Sequence, residues 1–417
     1  MRAPSGLHVL FVLDTWGLIG GTERHAAVVV PELLARGHRV TVLCREARDG
    51  AGHEHLSVVE RPALAGAGME RGARRELAAT LRALGIDVVF HSALRNVDAA
   101  EELLEIAPVV RYVHDHTLFC PGLNKYREDG ALCHEPMGRV CIERYFLREG
   151  CTSFKKASFD GPAKALAHYA SKERELAVAR RSHTVLTNSR YMRAELLQVG
   201  FVPERTAVLY LFTRSNSAAQ PSGTLSAETE RFLASSTAPL LFTPARLTLP
   251  DKGVDYLITA LAAVRGPFRA VVAGAGPAEP WLRSKAVADG VAEHLHFTGW
   301  LASAGIERLY ERAAAVVCPS VWNEPFGLVG LEAMAHAKPV VAFAVGGIPE
   351  WCLDGENGFL VARQDTVAMA GAIDRLLGDT ELRTRLGARG RELLGERFPP
   401  ARHVDGLEAA LHAAAGR

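Results

Sequence analysis

The feature that constrains this chain most is an alternation of short apolar segments with longer amphipathic ones, which runs along nearly its whole length. Residues 7–14, 39–44 and 109–114 have the largely apolar character of buried strands. Residues 22–35 and 161–181 have the apolar spacing of helices. Alternating strands and helices predict parallel sheets that are covered by helices on both faces.

The alternation occurs in two series, which are separated by a polar, turn-rich segment at residues 214–230. We therefore predict an α/β protein with a doubly wound, Rossmann-like domain over residues 1–213, a linker over 214–230 and a second such domain over 231–396. Ligands of such sheets bind beyond the carboxyl ends of the strands. Two domains of this kind, facing each other, would hold a substrate in the cleft between them.

Composition excludes several classes of protein. The 417 residues include 48 Lys and Arg against 47 Asp and Glu, which is too even a balance for a chain that holds nucleic acid through its overall charge. No apolar run reaches the roughly 18 residues that would predict a membrane-spanning helix. The start of the sequence lacks the apolar core and cleavage site of a signal peptide. We expect a cytoplasmic protein that does not bind nucleic acid.

The most informative segment is NEPFGLVGLE at residues 323–332, which follows a predicted strand. Glu324 lies in the loop after that strand, and Glu332 lies about one turn into the next predicted helix. Unpaired backbone N–H groups at a helix start favour an anion, and here they belong to Phe326, Gly327 and Leu328. Two carboxylates beside an anion site suit a ligand with hydroxyl groups and a phosphate. The plainer interpretation is that both glutamates only complement the helix dipole and the surface.

Two cations follow the predicted strand over residues 239–244, at its carboxyl end. Arg246 comes first, and Lys252 with Gly253 directly precedes a predicted helix. Fixed cations can stabilise a leaving diphosphate without a metal ion. Most arginines and lysines lie on the surface without such a role, so these positions alone do not decide the question.

In the first half of the chain, Gly20 and Gly21 open a predicted helix and His114 ends a predicted strand. A glycine pair lets the backbone approach an anion or a sugar, but the segment is not a P-loop because no GK[ST] follows. A histidine at this end of a strand could donate to a sugar hydroxyl or transfer a proton. An ordinary turn and a buried, hydrogen-bonded histidine are the plainer interpretations.

The segment GAGP, which begins at Gly274, partly matches a dinucleotide-binding loop. The third glycine of that loop is missing, because Glu279 stands in its place. Pro277 also lacks the N–H group that a phosphate needs. A nicotinamide-dependent enzyme is therefore disfavoured.

Taken together, these segments resemble glycosyltransferase family 4, whose members are retaining enzymes of the GT-B fold. The resemblance runs from GGTERHA, which begins at Gly20, to GIPEWCLDGENGFLV, which begins at Gly347. Its most specific part is VCPSVWNEPFGLVGLEAMAHAKPVVA at residues 317–342, together with ARLTLPDKG and FTGW. The resemblance also implies that a last helix, residues 397–417, crosses back to the first domain.

The resemblance implies roles for individual residues. Gly20 and Gly21 would lie against the phosphate or the sugar of the donor. His114 would bind the donor sugar near its reacting carbon. Arg246 and Lys252 would hold the diphosphate.

The remaining donor contacts would come from the second half of the chain. Glu324 would bind sugar hydroxyls, aided by the amides of Phe326, Gly327 and Leu328. Glu332 would bind the nucleoside ribose. The nucleobase would lie beside Gly299 and Trp300.

The activity that the resemblance implies is transfer of a sugar from a nucleotide-diphosphate sugar to an acceptor hydroxyl, with retention of configuration and without a metal ion. A UDP-sugar is slightly favoured over a GDP-sugar. The sequence contains no Asp-x-Asp pair, the usual metal clamp of the other large glycosyltransferase fold, so no cofactor is expected in catalysis. The leaving diphosphate would help deprotonate the acceptor, and no enzymic nucleophile is assigned. A sugar-nucleotide epimerase of the same fold and a non-catalytic carbohydrate-binding homologue are the alternatives.

Four of the seven cysteines fall in one irregular segment, residues 115–160, directly after His114. They are Cys120, Cys133, Cys141 and Cys151. A long irregular segment needs a staple to be ordered, and four clustered thiols suggest a structural zinc ion. Two disulfides and free thiols remain as alternatives, because the spacing differs from the short pairs of common zinc sites.

A basic amphipathic stretch at residues 69–84 is relevant to whether the acceptor is lipid-linked or soluble. Four more cations lie in the same predicted domain: Lys155, Lys156, Lys164 and Lys172. Such a patch would suit a lipid-linked acceptor and a peripheral contact at the inner membrane face. A solvated helix face is the plainer interpretation, and a sugar or another small soluble acceptor is equally open.

Overall fold

The computed structural model describes residues 6–17, 21–48, 56–127, 130–146, 151, 161–213 and 225–417. The chain forms two compact units. The first unit consists of Met1–Tyr210 and Ala401–Arg417, and the second consists of Leu211–Pro400. Each is built from parallel strands and helices, which confirms the α/β fold class predicted from the sequence.

The first unit is built on a seven-stranded sheet. Its strands and a small ribbon are β1 (His8–Leu13), β2 (Thr15–Trp16), β3 (Arg39–Cys44), β4 (Glu46–Ala47), β5 (Ser57–Glu60), β6 (Val88–Ala93), β7 (Val109–Val113), β8 (Thr184–Thr187) and β9 (Thr206–Val208). The order is β5-β3-β1-β6-β7-β8-β9 with parallel neighbours, and β2 pairs with β4 separately. Every residue of β1 is buried, as expected for a central strand covered on both faces.

Helices flank the strands of this sheet along the chain. They are α1 (Gly21–Ala35), α2 (Arg71–Ala83), α3 (Val97–Ile106), α4 (Arg139–Phe146), α5 (Pro162–Arg180), α6 (Arg190–Gln198) and the last helix of the chain, Pro400–Ala414, which is α14 below. Capping side chains fix some of their starts: the Asn96 side chain accepts the Ala99 N–H at 3.0 Å, and the Ser189 hydroxyl accepts the Met192 N–H at 3.0 Å.

The second unit contains a six-stranded parallel sheet in the order β12-β11-β10-β13-β14-β15. Its strands are β10 (Leu240–Pro244), β11 (Arg269–Ala273), β12 (Leu295–Phe297), β13 (Ala315–Cys318), β14 (Val340–Phe343) and β15 (Gly358–Val361). Its helices are α7 (Ala227–Ala234), α8 (Val254–Ala263), α9 (Glu279–Ala288), α10 (Ser303–Arg312), α11 (Leu328–Ala335), α12 (Thr366–Gly378) and α13 (Thr380–Arg397). Because β10 and β13 are parallel neighbours, the loops that follow them emerge side by side.

The prediction of a linker over residues 214–230 is wrong at its C-terminal end. Ala227–Ala234 is the helix α7, and the Ser226 hydroxyl caps it by accepting the Thr229 N–H at 3.1 Å. A serine cap followed by an acidic first turn is a helix-start signal that the polar composition of the segment obscured. Residues 214–224 of the prediction lie outside the described residues.

The amphipathic stretch at residues 69–84 forms α2, and its apolar side is used inside the first unit. Leu77 and Leu81 are buried in one hydrophobic cluster with Leu103 of α3. The apolar side of α2 is therefore not available to a membrane. None of the described helices is long and apolar enough to cross a bilayer.

The lysines predicted to add surface charge are also not all on the surface. Lys172 is 8% exposed, and its ammonium donates to Glu175 at 2.6 Å and to the carbonyl of Thr117 at 2.7 Å. Lys155 and Lys156 lie outside the described residues. The prediction of a basic surface patch is wrong at Lys172, because this cation is buried and paired with the carboxylate of Glu175.

Helix α14 is held in the first unit by ion pairs and by a contact between two buried histidines. Arg36 lies 2.7 Å from Asp405 and 2.5 Å from Glu408. The Nε2 atoms of His25 and His403 are 2.7 Å apart, and the rings are in edge-to-face contact. These contacts join α1 and the residue directly after it, Arg36, to α14 at the other end of the sequence.

The buried histidines make the first unit sensitive to acid. Burial lowers the pKa of His403 to about 4; burial also lowers the pKa of His114 to about 4, with Asp115 opposing the shift and His403 adding to it. The unfolded chain takes up these protons near pH 6.5, so between about pH 6.5 and 4 it binds more protons than the folded chain. The free energy of unfolding must therefore fall as the pH is lowered through this window.

We accordingly expect the thermal midpoint, followed by circular dichroism, to fall between about pH 7 and pH 4.5, and to fall less steeply in His403→Gln. His183→Gln is the matched control, because His183 is an exposed histidine of the same unit. A His403→Gln slope identical to that of wild type would contradict this account.

Candidate functional site

The clearest group of site residues lies in the second unit, where the loops after β10 and β13 meet. The Lys252 ammonium nitrogen lies 2.9 Å from Oε2 of Glu324. The indole N–H of Trp322 donates to the same oxygen at 2.7 Å, and the ammonium lies 5.0 Å from the centre of the Trp322 ring. Two residues singled out in the sequence are thus in contact. Trp322 was missed, although it stands in the same motif.

The Glu324 carboxyl is held in its charged form. Burial acts to raise its pKa, but the charge and hydrogen bond of Lys252, with the donation from Trp322, outweigh burial and lower the pKa below its ordinary value. Both partners of the ion pair are 14% exposed. An ammonium has three donors, so Lys252 can bind Glu324 and still donate to a phosphate.

Gly253 sets the position of Lys252. Its φ is +64°, and it precedes the first residue of α8. A Cβ atom there would lie 1.9 Å from the carbonyl oxygen of Pro319, at the end of β13. The loop after β10 can therefore lie against the loop after β13 only if this residue is glycine.

A third loop fixes the backbone of Glu324. The Gly347 N–H donates to the Glu324 carbonyl at 2.8 Å. Gly346 has a φ of +52°, and a Cβ atom on it would lie 2.1 Å from the same carbonyl oxygen. The backbone of Glu324 is thus held from the loop after β14.

The start of α11 is built as an anion site. Gly327 has a φ of +94° and precedes Leu328, the first residue of the helix. The indole N–H of Trp351 donates to the carbonyl of Phe326 at 2.6 Å. The first N–H groups of the helix have no carbonyl partner within it, and they carry the positive end of the helix dipole.

Glu332 lies four residues into α11 and is held by a residue that sequence analysis missed. The Tyr310 hydroxyl donates to Oε2 of Glu332 at 2.8 Å. Burial raises the pKa of Tyr310, so this hydroxyl stays protonated and remains a donor. Tyr310 stacks on His336 with ring centres 5.1 Å apart. No sequence pattern marked Tyr310, because it lies on α10, a helix that was not predicted.

Two of the predicted donor contacts, Arg246 and Trp300, are exposed, and a third, Gly299, is half-buried. Arg246 makes no hydrogen bond or ion pair with the described residues. Trp300 is 75% exposed. Gly299, with a φ of +71°, accepts the Gly274 N–H at 2.9 Å. Arg246 and the Trp300 ring are thus available to a ligand. Within the described part of the chain, neither contacts the Lys252–Glu324 pair.

Asn323, also in the motif, carries a buried donor that sequence analysis did not single out. Its side chain is 3% exposed, and its Nδ2 has no hydrogen-bond partner within the described part of the chain. Buried amides nearly always have a partner. A ligand or an ordered water bound beside Glu324 would supply one.

The glycines of the GAGP segment have a packing explanation. A Cβ atom on Gly274 would lie 1.9 Å from the carbonyl oxygen of Ala245, and one on Gly276 would lie 2.3 Å from that of Leu247. Both glycines therefore let the loop after β11 lie against the loop after β10. This arrangement accounts for them without a dinucleotide.

The first unit contains a large polar cavity of about 880 Å³. His114 lines it at the end of β7, with Nε2 3.0 Å from the Ser92 hydroxyl. Because the pKa of His114 is about 4, the ring is neutral at pH 7. Gly21 is the first residue of α1, and Gly20 lies outside the described residues.

A buried charge network forms part of the cavity wall. Glu175 lies 3.7 Å from Arg111 and 2.6 Å from Lys172, and each of the three is at most 10% exposed in its side chain. Two cations to one carboxylate leave an excess of positive charge here. Arg111 was missed, although a cation inside the apolar strand VVRYV is a signal that sequence analysis could have used.

The four clustered cysteines lie together in the first unit, and none forms a disulfide. All four line one small cavity of about 30 Å³, as do Lys125, Arg127 and Arg144. Burial raises the pKa of Cys120 to about 12, so in the absence of a cation its thiol is neutral at pH 7.

Elsewhere in the first unit, three side chains are spaced like metal ligands: His38, Glu408 and His412. His38 Nδ1 accepts the Leu7 N–H at 3.1 Å, so its ring proton is on Nε2, which faces Glu408 at 3.0 Å. Both ring nitrogens of His38 are therefore in use, and Glu408 also pairs with Arg36. The geometry is that of a hydrogen-bonded ion-pair cluster.

Comparison with known proteins agrees with this architecture. The family model for Glycosyltransferase Family 4 matches residues 19–213, and the model for Glycosyl transferases group 1 matches residues 238–379. The structure of Anabaena Alr3699/HepE in complex with UDP covers 98% of this chain and 100% of that one, with a TM-score of 0.69 and 20% identity. The same protein has also been solved with UDP-glucose.

Curated relatives match over shorter stretches. An uncharacterized glycosyltransferase of Methanocaldococcus jannaschii is 35% identical over 37% of this chain and 39% of its own length. The alpha-D-kanosaminyltransferase of Streptomyces kanamyceticus is 36% identical over 36% of this chain and 39% of its own length. The chain thus spans about two fifths of the length of these relatives. With the two family models covering most of the sequence, and with solved structures of the same architecture, the chain belongs to glycosyltransferase family 4 and has the GT-B fold.

Proposed function

We propose that this chain is a retaining glycosyltransferase that takes its sugar from a nucleotide-diphosphate sugar and needs no metal ion for the transfer. The observation that carries the proposal is the contact of Lys252 with Glu324 beyond the ends of β10 and β13, where doubly wound sheets bind their ligands. A UDP-sugar is favoured over a GDP-sugar because Anabaena Alr3699/HepE, of the same fold, is solved with UDP and with UDP-glucose.

The diphosphate is assigned to three positive groups of the second unit. Arg246 has no competing partner among the described residues, and Lys252 has donors left over from Glu324. The first amides of α11 add the positive end of a helix. Preorganised donors and cations of this kind stabilise charge as it develops on a leaving group, which is the part a metal ion plays in other transferases.

The rest of the donor is assigned to side chains around this centre. Glu324 is ionised and accepts hydrogen bonds from the hydroxyls of the sugar. Glu332, held by Tyr310, accepts hydrogen bonds from the ribose. The exposed ring of Trp300 offers an apolar face to the base beside Gly299.

In the proposed reaction the bond between the sugar and the diphosphate breaks, and the acceptor oxygen forms a bond to the same carbon on the same face. The acceptor proton passes to the leaving diphosphate, so no enzymic nucleophile is needed. His114 is neutral at pH 7, which suits a hydrogen-bond partner for the donor sugar better than a proton donor. Gly20 and Gly21 are assigned to the donor as well.

The acceptor is assigned to the cavity of the first unit. Four basic and four acidic side chains line it, and this mixture suits a ligand with many hydroxyl groups, such as a sugar or a small polyol. A lipid-linked acceptor with peripheral membrane contact is less favoured, since the apolar side of α2 is buried. The cytoplasmic location remains a prediction.

The experiment that tests the function is a transfer assay with a panel of UDP- and GDP-sugars, a set of sugar and polyol acceptors, and EDTA throughout. We expect one donor to be consumed, with release of its nucleoside diphosphate and formation of a product with the anomeric configuration of the donor by NMR. Conversion of the donor sugar without any acceptor would indicate the epimerase. Donor binding without turnover for any acceptor would favour the non-catalytic homologue.

A further inference from the structure

The cysteine cluster of the first unit is not explained by donor or acceptor binding. Cys120, Cys133, Cys141 and Cys151 come from separate turns of the chain and line the same cavity. Its volume of about 30 Å³ is enough for one ion or one or two waters, and far too small for a sugar or a nucleotide. Its size therefore limits what the cluster can bind.

The backbone around the cluster is folded so as to bring these thiols together. The bridge between Tyr126 and Leu132 makes a short hairpin, and the Cys133 N–H donates to the carbonyl of Lys125 at 2.8 Å. The hairpin thereby returns Cys133 to the turn that starts at Cys120, where the Leu123 N–H donates to the Cys120 carbonyl at 2.9 Å. Cys141 lies on α4, directly after this hairpin.

Some N–H groups lie near the sulphur atoms. Backbone N–H groups at Gly122 and Lys125 act to lower the pKa of Cys120 against the larger opposing effect of burial, and one at Gly138 does the same for Cys141. Nη1 of Arg144 donates to Cys133 at 3.5 Å. Hydrogen bonds of this kind form the outer shell of metal–thiolate sites, where they support the negative charge on sulphur.

The same turn has an unfavourable backbone. Leu123 and Lys125 have φ values of +71° and +52°, in the left-handed region that non-glycine residues rarely adopt. Each costs on the order of 1 kcal/mol or more. The buried ion pair between Lys125 and Glu195 supports this turn on one side, and a ligand held by the thiols would support it on the other.

We propose that Cys120, Cys133, Cys141 and Cys151 bind one zinc ion as a four-thiolate, tetrahedral site that stabilises the described backbone around these cysteines. Four thiols lose four protons to solvent as one Zn²⁺ binds, leaving a centre of net charge −2. Lys125, Arg127 and Arg144 line the cavity; Lys125 is paired with Glu195 and Arg144 with Glu135, so these cations complement part of that charge.

Binding requires the sulphur atoms to move closer. As the described structure stands, no three of them lie within 4.8 Å of one another, whereas zinc–sulphur bonds of about 2.3 Å imply sulphur separations of about 3.8 Å. Cys141 lies in the short helix α4 and the other three cysteines lie outside helices and strands, so their movement disturbs no strand of the sheet. We therefore expect the ion to close the cluster.

The test uses the full chain, purified with a thiol reductant and without chelator. Elemental analysis is expected to find about one zinc per chain, and protein loaded with cobalt in its place is expected to show the visible spectrum of tetrahedral thiolate coordination. Cys133→Ser is expected to lose the metal. Cys44→Ala is the matched control that keeps it, because Cys44 is another free thiol of the same unit, buried in β3.

The wild-type measurements decide the question even if Cys133→Ser fails to fold. Two disulfides, detected under denaturing conditions as four cysteines that react with an alkylating reagent only after reduction, would overturn the proposal. Seven reactive thiols and no bound metal would overturn it as well. Iron on the same thiols in place of zinc would overturn the choice of metal.

Discussion

Replacing Glu324 with glutamine is expected to lower kcat of sugar transfer about 100- to 1,000-fold, the usual cost of losing one electrostatic contact in the transition state. Glutamine keeps the size of the side chain. It removes the negative charge that accepts from Trp322 and positions Lys252. One substitution therefore affects both the sugar contact and the cation assigned to the diphosphate. The measurement is kcat with saturating donor and acceptor.

The matched control for this substitution is Glu230→Gln. Glu230 is a carboxylate of the same unit that forms ion pairs with Arg308 at 3.0 Å and with Arg312 at 2.9 Å, outside the proposed site. Its loss is expected to leave kcat within about twofold, because exposed pairs contribute little. If Glu324→Gln retains wild-type kcat while remaining folded by circular dichroism, the role assigned to Glu324 is wrong.

Replacing Gly253 with alanine is expected to lower the free energy of unfolding by about 3 kcal/mol. Two costs add up. An alanine at a φ of +64° is strained, and its Cβ would lie 1.9 Å from the carbonyl oxygen of Pro319. The loops after β10 and β13 would have to separate, and Lys252 would move with them. Denaturant unfolding measures the change.

Gly290→Ala separates the two costs. Gly290 also has a positive φ, +75°, but a Cβ atom there would meet nothing within 4 Å. Only the backbone cost remains, and we expect a loss of about 1 kcal/mol. Equal losses for the two variants would mean that the close approach at Pro319 does not constrain the site.

Much of the fold could be predicted because local patterns decide it. Buried strands such as β1 and β13 are uninterrupted apolar runs, and helix α8 follows a glycine at its start. Alternation of the two kinds of element then leaves few topologies. Helix α7 was missed where a polar sequence obscured its cap, and α10 was missed because its apolar positions are few.

The site could be predicted only in part. Glu324 and Lys252 were recognisable because each follows a strand in a distinctive motif. Their contact depends on β10 and β13 being neighbours, which is a property of strand order and is not visible in either segment. The Tyr310–Glu332 hydrogen bond likewise joins two helices.

Buried charge was the hardest property to predict. Lys172 was expected on the surface, since most lysines are exposed. The structure buries it beside Glu175 and Arg111 in the cavity wall. Such pairing depends on residues far apart in sequence, so composition gave no sign of it.

The central claim, that the second unit binds a nucleoside diphosphate through fixed cations, is tested most directly by calorimetric titration of UDP and GDP in EDTA. We expect wild-type protein to bind one of them, UDP by preference. Lys252→Met should bind it at least about tenfold more weakly, since a hydrogen bond to a charged group is worth about 1.5–3 kcal/mol. Lys285→Met, which removes a lysine paired with Asp289 at 2.8 Å in the same unit, should bind as wild type does. Failure of wild type to bind either nucleotide, or equal affinities for wild type and Lys252→Met, would contradict the account.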